Sequence, residues 1–257
     1  MPARLKLPRL KLRTLALIGT VALSLAGCGS GAGGDATSSD ALPKVAAAAG
    51  TSWSQTMAAT DDGFIMGNPD APLKLVEFGS FTCSHCAEFS VASHEQLKRD
   101  FIDTGRVSFE LRPFIRDPLD LALATVAACS GAERFFPLAE NIFASQAGIM
   151  EAAQAGQQAN AAAFQNIQAL PERDRLATIA TLYGTPDFFA ARGIPAADTT
   201  RCLTDQAAVD KRTDVTRRST EQYEITGTPT FLLNGQVMAD AGTWEQVRDQ
   251  LRAAGAR

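Results

Sequence analysis

The residues best suited to chemistry are two cysteines three positions apart, Cys83 and Cys86. A C-x-x-C pair can exchange a disulfide, bind a metal ion or carry covalently attached haem. A zinc site needs more ligands than two thiols, and the chain has only two histidines, His85 and His94. Haem attachment needs a histidine directly after the second cysteine, where Ala87 stands. The pattern therefore favours redox exchange over a structural disulfide or a metal site, and we expect neither a metal nor a cofactor.

The segments around this pair predict how it is positioned. The apolar run 73–78 predicts a buried strand, and a helix is predicted from Cys83 to about Asp103. A thiol at a helix N-terminus faces free backbone N–H groups and the positive end of the helix dipole, which lower its pKa. Cys86 lies one turn further along, beside Phe89, and is expected to be buried. Stabilising the thiolate of the reduced pair makes its disulfide more oxidising.

The remaining elements predict a two-part α/β domain. An alternating strand follows the first helix, so the order strand–helix–strand indicates a parallel pair. The segment 117–224 is predicted to be helical, after which strand character returns and Asn234-Gly235 predicts a hairpin. We therefore expect one α/β domain formed by residues 51–116 and 225–257, interrupted by a helical insertion at 117–224.

The first 28 residues have the pattern of an export signal. A basic start precedes an apolar run of about eleven residues, 15–25. A membrane-spanning helix is the alternative, but it needs about 20 apolar residues. The basic positions are Arg4, Lys6, Arg9, Lys11 and Arg13.

The end of this segment, Leu25-Ala26-Gly27-Cys28, resembles the lipobox of bacterial lipoproteins. In those proteins the cysteine is acylated and becomes the new N-terminus, so Cys28 is the predicted lipidation site. The alternative is an ordinary signal peptide that ends near a cysteine. Gly29, standing where an aspartate would signal inner-membrane retention, favours the outer membrane.

Residues 29–50 are small and polar, and they predict a flexible tether between the lipid and the folded domain. An ordered arm packed on the domain is the alternative. Removing the five basic residues of the signal from the 24 in the chain leaves 19 basic and 28 acidic residues, a net charge of −9. An acidic body argues against a phosphate-rich partner, so nucleic acid is excluded as a ligand.

Three motifs resemble the DsbA family of periplasmic dithiol oxidases, in the thioredoxin superfamily. They are MGNPDAP at 66–72, FGSFTCSHCAEF at 78–89 and GTPTF at 227–231, and the resemblance runs from about residue 60 to the end. It implies a thioredoxin-like α/β fold with an inserted helical domain. It also implies reduced exported proteins as substrates and a quinone-linked membrane protein as the reoxidising partner. The folded domain is expected to lie in the periplasm. Its only other predicted contact with a membrane is the lipid anchor.

The resemblance assigns roles to individual residues. Cys83 is implied to be the exposed sulfur that clients attack, with Cys86 as its buried partner. His85 is implied to stabilise the Cys83 thiolate by charge or hydrogen bonding. Pro229 is implied to be cis, which places Thr228 beside the disulfide, where its backbone can pair with an extended substrate.

A glutamate precedes the cysteines on the predicted strand. Glu77 shares a face with Leu73 and Leu75, so it is expected to lie buried under the active helix, unless it reaches water at a strand edge. The family has an acid at this position that assists proton transfer to the buried cysteine, and a buried carboxyl has a raised pKa that suits this task. A second acid that some members carry four residues after the second cysteine is replaced here by Ser90.

Two further cysteines, Cys129 and Cys202, fall in the predicted insertion. Some members of the family have a second disulfide there, and disulfides persist in exported proteins. The resemblance therefore favours a structural bridge between them, and two free thiols are the alternative.

Two other functions stay open at this point. Disulfide isomerisation or reduction uses the same chemistry, but isomerases of this superfamily generally dimerise through an N-terminal domain, and residues 29–50 are too few to form one. A non-enzymatic lipoprotein that uses the fold as a binding module is the other alternative, although such a module has no need of a reactive cysteine pair.

Overall fold

The computed structural model describes residues 41–257. Residues 1–40, which include the predicted signal peptide, Cys28 and most of the predicted tether, lie outside the described residues. A six-stranded mixed sheet carries the fold, in the order β1-β2-β4-β3-β5-β6, and its two central strands β3 and β4 run parallel. The strands are β1 (Met57–Ala59), β2 (Phe64–Gly67), β3 (Leu73–Gly79), β4 (Val107–Pro113), β5 (Thr230–Leu233) and β6 (Gln236–Val237).

Helices follow β3, fill the segment between β4 and β5, and end the chain. They are α1 (Ser84–Leu97), α2 (Pro118–Cys129), α3 (Ala132–Ala144), α4 (Gln146–Ala159), α5 (Ala161–Gln165), α6 (Glu172–Leu182), α7 (Thr185–Ala190), α8 (Ala196–Thr204), α9 (Gln206–Tyr223) and α10 (Trp244–Ala253). A π-helical segment, Lys98–Ile102, extends α1. Between residues 41 and 257, no helix combines the length and apolar character needed to cross a membrane.

Local sequence signals account for the helix ends that matter here. Asp117 caps α2 by accepting the backbone N–H of Asp120, with Pro118 in the first turn. Thr243 and Gln246 form the predicted capping box at the start of α10. The central strand–helix–strand unit and the α/β fold with helices inserted between β4 and β5 agree with the sequence prediction.

The central strand β3 has two different faces. Leu75 and Glu77 face the main core, which also contains Cys83 and Cys86, whereas Phe78 faces a smaller cluster on the opposite side of the sheet. β3 is flanked by β4 and β5, so Glu77 pairs with strand residues on both sides. Strand side chains stand perpendicular to the sheet, and α1 packs over this face, with Phe89 and Ser93 lining the same cavity as Glu77; this is why Glu77 is buried.

The helical insertion and the sheet share one hydrophobic core. Phe64 of β2 and Phe135 of α3 stack with ring centroids 3.9 Å apart, and α3 also packs against α1. The insertion therefore covers the helix that carries the cysteines, and its residues are within reach of the site.

The segment before β1 differs from the sequence prediction. Residues 41–50, the last part of the predicted tether, pack on the domain as an ordered arm. The Arg106 side chain donates to the carbonyl of Leu42 at 2.6 Å, and the backbone N–H of Val45 donates to Thr104 at 2.9 Å. These partners satisfy the arm's backbone, which the small-residue composition did not indicate. The strands β1 and β2 that follow were not predicted either.

Candidate active site

The two cysteines occupy the start of α1. Cys83 is the N-cap residue, in extended conformation, and Cys86 lies in the first turn. Both are free thiols in this structure. Cys86 is fully buried, as expected, but Cys83 is only 5% exposed and not the open sulfur that the resemblance implied. Its Sγ lies 3.2 Å from the carbonyl oxygen of Thr228, so the loop that enters β5 covers it.

The pKa of Cys83 is lowered from 9.0 to about 4. The largest cause is a hydrogen bond from the Cys86 thiol, with Thr228 and the backbone N–H groups of Cys86 and His85 adding to it, while burial opposes it. The predicted helix N-terminus therefore helps to lower the pKa of Cys83 through the backbone N–H groups of His85 and Cys86. At neutral pH Cys83 is a thiolate, which is the nucleophilic form.

Cys86 has the opposite electrostatics. Burial is the first cause that raises the pKa of this thiol, followed by its hydrogen bond to Cys83 and by the charge of Glu77. One contact favours its anion: the backbone N–H of Ser80 points at Cys86 Sγ, 3.4 Å away. Cys86 thus holds its proton unless a base removes it.

Glu77 is a buried carboxyl whose charge acts on Cys86. Its side chain is 2% exposed, and burial, followed by the nearby charge of Cys83, raises the pKa of its carboxyl to about 8. Among residues 41–257 its Oε1 has no hydrogen-bond partner. Glu77 borders a cavity of about 40 Å³ that Ser93 and His94 also line. A cavity of that size has room for water, since one water needs about 10–15 Å³.

His85 contributes differently from the prediction. Its imidazole is exposed, and its Nδ1 lies 3.1 Å from Glu88 Oε2, one helical turn away. The part of His85 that lowers the pKa of Cys83 is its backbone N–H. His85 is the second residue of α1. Its side chain points outward to Glu88, three positions further along, whereas its backbone N–H points back to the N-cap residue Cys83.

The loop before β5 completes the site. The Thr228–Pro229 peptide bond is cis, and the carbonyl of Thr228 meets Cys83 as described above. The Thr228 hydroxyl is buried beside this sulfur and helps to lower the pKa of Cys83. Thr228 of the third motif thus lies directly against the first cysteine.

Three residues of the insertion bind the active-site loop, defined here as Ser80–Thr82. Asp117 accepts from Thr82 Oγ1 at 2.5 Å, and the other two, Asp120 and Gln146, were not identified by the sequence analysis. Asp120 of α2 is fully buried and accepts from Ser80 Oγ at 2.6 Å and from the Phe81 N–H at 2.8 Å. Burial raises the pKa of Asp120 to about 7, although these hydrogen bonds oppose the shift. Gln146 of α4 donates to the carbonyls of Phe81 and Cys83, each at 2.9 Å.

The other cysteine pair is joined. Cys129, the last residue of α2, and Cys202 of α8 form a disulfide, with their Cα atoms 6.0 Å apart. It ties two helices of the insertion together. It contributes no residue to the Cys83 environment.

Comparison with known proteins agrees with this geometry. The chain matches the thioredoxin family over residues 59–253. A protein-disulfide isomerase from Novosphingobium aromaticivorans is 35% identical, and its crystal structure superposes with a TM-score of 0.68 over 75% of this chain and 97% of that one. The α-DsbA1 of Wolbachia pipientis shares the fold at 18% identity, with a TM-score of 0.58 over 77% of this chain and 94% of that one.

The chain covers only part of the curated relatives that it matches over most of its own length. A Rickettsia bellii protein named as a protein-disulfide oxidoreductase is 26% identical over 176 residues, which is 68% of this chain and 58% of the relative. The chain thus spans somewhat more than half the length of that relative. The family match covers β2 to β6, the insertion and both reactive cysteines, and the chain belongs to the thioredoxin family.

Proposed function

We propose that this protein introduces disulfides into exported proteins by dithiol–disulfide exchange at Cys83 and Cys86. The observation that carries the proposal is the opposite shift of the two thiol pKa values, lowered to about 4 for Cys83 and raised by burial for Cys86. A low-pKa sulfur is a good leaving group, and its stability as a thiolate favours the reduced enzyme. The oxidised enzyme is therefore driven to oxidise its clients.

The oxidising half-reaction begins when a client thiolate attacks Cys83 of the Cys83–Cys86 disulfide. The client sulfur bonds to Cys83, the Cys83–Cys86 bond breaks, and its electron pair goes to Cys86. Because a buried thiolate is unfavourable, Cys86 takes a proton, which the carboxyl of Glu77 supplies. The client's second thiolate then attacks the first client sulfur, and Cys83 leaves as a thiolate.

The reverse sequence regenerates the enzyme. The Cys83 thiolate attacks a disulfide of the reoxidising partner, that disulfide breaks, and one partner sulfur leaves as a thiolate. Glu77 then removes the proton of Cys86, Cys86 attacks Cys83 to close the disulfide, and the second partner sulfur leaves as a thiolate. Two electrons pass to the partner. We propose a quinone-linked membrane protein for this role. The backbone of Thr228, which contacts Cys83, offers hydrogen-bonding groups to an extended client or partner segment.

The test is the direction of exchange. Oxidised protein is expected to form the disulfide of a dithiol peptide rapidly, and the equilibrium potential of the Cys83–Cys86 couple is expected near or above that of glutathione. Cys83→Ser must abolish peptide oxidation, whereas the double variant Cys129→Ser/Cys202→Ser, which leaves the reactive pair intact, should retain it. Full activity in Cys83→Ser, or a potential far below that of glutathione, contradicts the proposal.

Isomerisation is the second candidate, because the Novosphingobium protein that is 35% identical is named a protein-disulfide isomerase. An isomerase needs the reduced form, whose Cys83 thiolate attacks a wrong client disulfide and leaves after rearrangement. Reduced protein is then expected to refold a scrambled multi-disulfide protein faster than oxidised protein oxidises a reduced one. The opposite ranking supports the oxidase.

We also propose export to the periplasm and lipid anchoring through Cys28, preferentially to the outer membrane. The support is the sequence pattern of residues 1–28 described above. Mass spectrometry of the mature protein should find an acylated Cys28 as the N-terminal residue, and Cys28→Ser should move the protein from the membrane to the soluble fraction. A wild-type protein found only in the soluble fraction rules out the anchor.

A further inference from the structure

The active-site loop Ser80–Thr82 contacts the buried cysteine through one backbone group: the N–H of Ser80 points at Cys86 Sγ from 3.4 Å. This is a neutral contact when Cys86 is a thiol. It becomes a hydrogen bond to a charged acceptor each time Cys86 leaves or attacks as a thiolate. Whatever fixes the direction of the Ser80 N–H therefore affects the steps in which Cys86 carries charge.

The side chain of Asp120 is the group that fixes this loop. One carboxylate oxygen, Oδ2, accepts from Ser80 Oγ at 2.6 Å and from the Arg116 N–H at 3.0 Å, and Oδ1 accepts from the Phe81 N–H at 2.8 Å. The carboxylate thus holds the loop on both sides of the Ser80–Phe81 peptide. Ser80 and Asp120 are both fully buried, so water cannot replace either partner.

The other contacts of Ser80 lie within the loop and the start of α1: Ser80 Oγ lies 3.2 Å from Thr82 Oγ1 and accepts from the Thr82 N–H at 3.3 Å, and the Ser80 carbonyl accepts from the Cys83 N–H at 3.1 Å. Gln146 binds the carbonyls of Phe81 and Cys83, and Thr82 Oγ1 donates to Asp117 at 2.5 Å. Among the described residues, Asp120 is the only one whose ionisable group contacts the Ser80 side chain directly.

We propose that Asp120 is a positioning residue for Cys86, acting through Ser80. It holds the Ser80 N–H in line with Cys86 Sγ, so that the amide stabilises the Cys86 thiolate when the disulfide opens and when it closes. This inference rests on the proposed exchange at Cys83 and Cys86, but not on its direction, because Cys86 carries charge in both. It gives the helical insertion a part in the chemistry as well as in the packing.

The test uses Asp120→Asn and the rate at which the mixed disulfide closes. Reduced protein is mixed with glutathione disulfide, and stopped-flow measurement with acid quenching separates attack by Cys83 from closure by Cys86. An asparagine puts an amide NH2 where Oδ2 now accepts, so the bond from the Arg116 N–H is lost and the charge-assisted bond from Ser80 Oγ is replaced by a neutral one at most. We expect closure to slow by roughly 10- to 100-fold, the range for loss of a hydrogen bond to a charged group. The pKa of Cys83, measured from the pH dependence of alkylation, should stay unchanged.

Three comparisons separate this role from a general loss of structure. Glu110→Gln makes the same carboxylate-to-amide change at a buried site on the opposite face of the sheet, and closure should keep its wild-type rate. Ser80→Ala keeps the amide but removes its link to Asp120, so closure should slow in this variant too. The double variant Asp120→Asn/Ser80→Ala should be no slower than the slower single variant, because both changes break one link.

The outcomes are distinct. Slowing in Asp120→Asn with a matching shift in the pKa of Cys83 or in the couple's potential overturns the proposal, because a loosened site moves all three. Closure at the wild-type rate in Ser80→Ala also overturns it, and this variant removes only a hydroxyl, so it decides the matter should Asp120→Asn fail to fold. A wild-type protein that attacks glutathione disulfide but never closes contradicts the proposed function itself. Normal wild-type closure with unaffected variants contradicts only the role of Asp120.

Discussion

The chain contains two cysteine pairs whose surroundings differ at the level of helix ends. Cys83 stands at the N-terminus of α1, where backbone N–H groups stabilise an anion, and its pKa falls to about 4. Cys129 is the last residue of α2, at the negative end of the helix dipole, which disfavours an anion, although Arg201 Nη1 lies 3.9 Å from its Sγ. A sulfur that is a poor anion is a poor leaving group. The comparison indicates that the helix N-terminus adds to the hydrogen bond from Cys86, the largest cause of the low pKa of Cys83, in making the reactive disulfide exchangeable.

Removing Cys86 has the largest expected effect on this comparison. Cys86→Ala takes away both the resolving thiol and the hydrogen bond that contributes most to the low pKa of Cys83. Turnover should be lost, with mixed disulfides accumulating, and the pKa of Cys83 should rise by at least about one unit, or 1.4 kcal/mol. Thiolate absorbance against pH measures the rise. Cys86→Ser is the matched control, because its hydroxyl can still donate. An equal rise in both variants would show that the hydrogen bond is not the cause.

Opening the second pair comes next. The Cys129–Cys202 bridge closes a loop with a sequence separation of 73, so Cys129→Ser/Cys202→Ser should lower the free energy of unfolding by about 2–4 kcal/mol. The peptide-oxidation rate at a temperature where the variant is folded should stay within about twofold of wild type. Denaturant unfolding and the oxidation assay check the two parts. A large fall in the oxidation rate of a folded variant would mean that the two cysteine pairs are coupled, and it would contradict a purely structural role for the Cys129–Cys202 disulfide.

Glu77 makes the buried side of the reactive pair sensitive to pH. Its pKa rises from 4.5 to about 8 on folding, so the folded protein binds a proton that the unfolded chain releases. This contribution to the free energy of unfolding is fully present below about pH 4.5 and is lost as the pH rises through 8. By pH 7, on the order of 3 kcal/mol of it has been lost. Glu77→Gln stays neutral and should not show this loss.

Denaturant unfolding of the reduced forms at pH 4.5 and pH 8 measures the difference for Glu77. Wild type should lose stability relative to Glu77→Gln as the pH rises. Glu110→Gln, on the other face of the sheet, is the control and should follow wild type. Parallel curves for wild type and Glu77→Gln would mean that Glu77 titrates normally.

Features that depend on residues close together in the sequence could be predicted, whereas features that depend on residues far apart in the sequence could not. The position of Cys83 at a helix start and the burial of Glu77 follow from periodicities within a few residues, and the structure agrees with both. The contact between Ser80 and Asp120 joins residues 40 positions apart, and nothing in the pattern of α2 distinguishes Asp120 from an ordinary first-turn acid. The strands β1 and β2 have three and four residues, too few to show an alternating pattern. The place of Thr228 beside Cys83 came only from the resemblance.

The smallest expected effect concerns His85, and it sharpens the contrast between helix ends. Because its backbone N–H, and not its exposed imidazole, acts on Cys83, His85→Ala should change the pKa of Cys83 by less than about half a unit. His85→Pro removes that N–H and is tolerated in a first helical turn, so it should raise the pKa more than alanine does. Alkylation rates across pH measure both variants. A shift above about one unit in His85→Ala would assign the thiolate's stability to the imidazole charge, and the amides at the start of α1 would then be secondary.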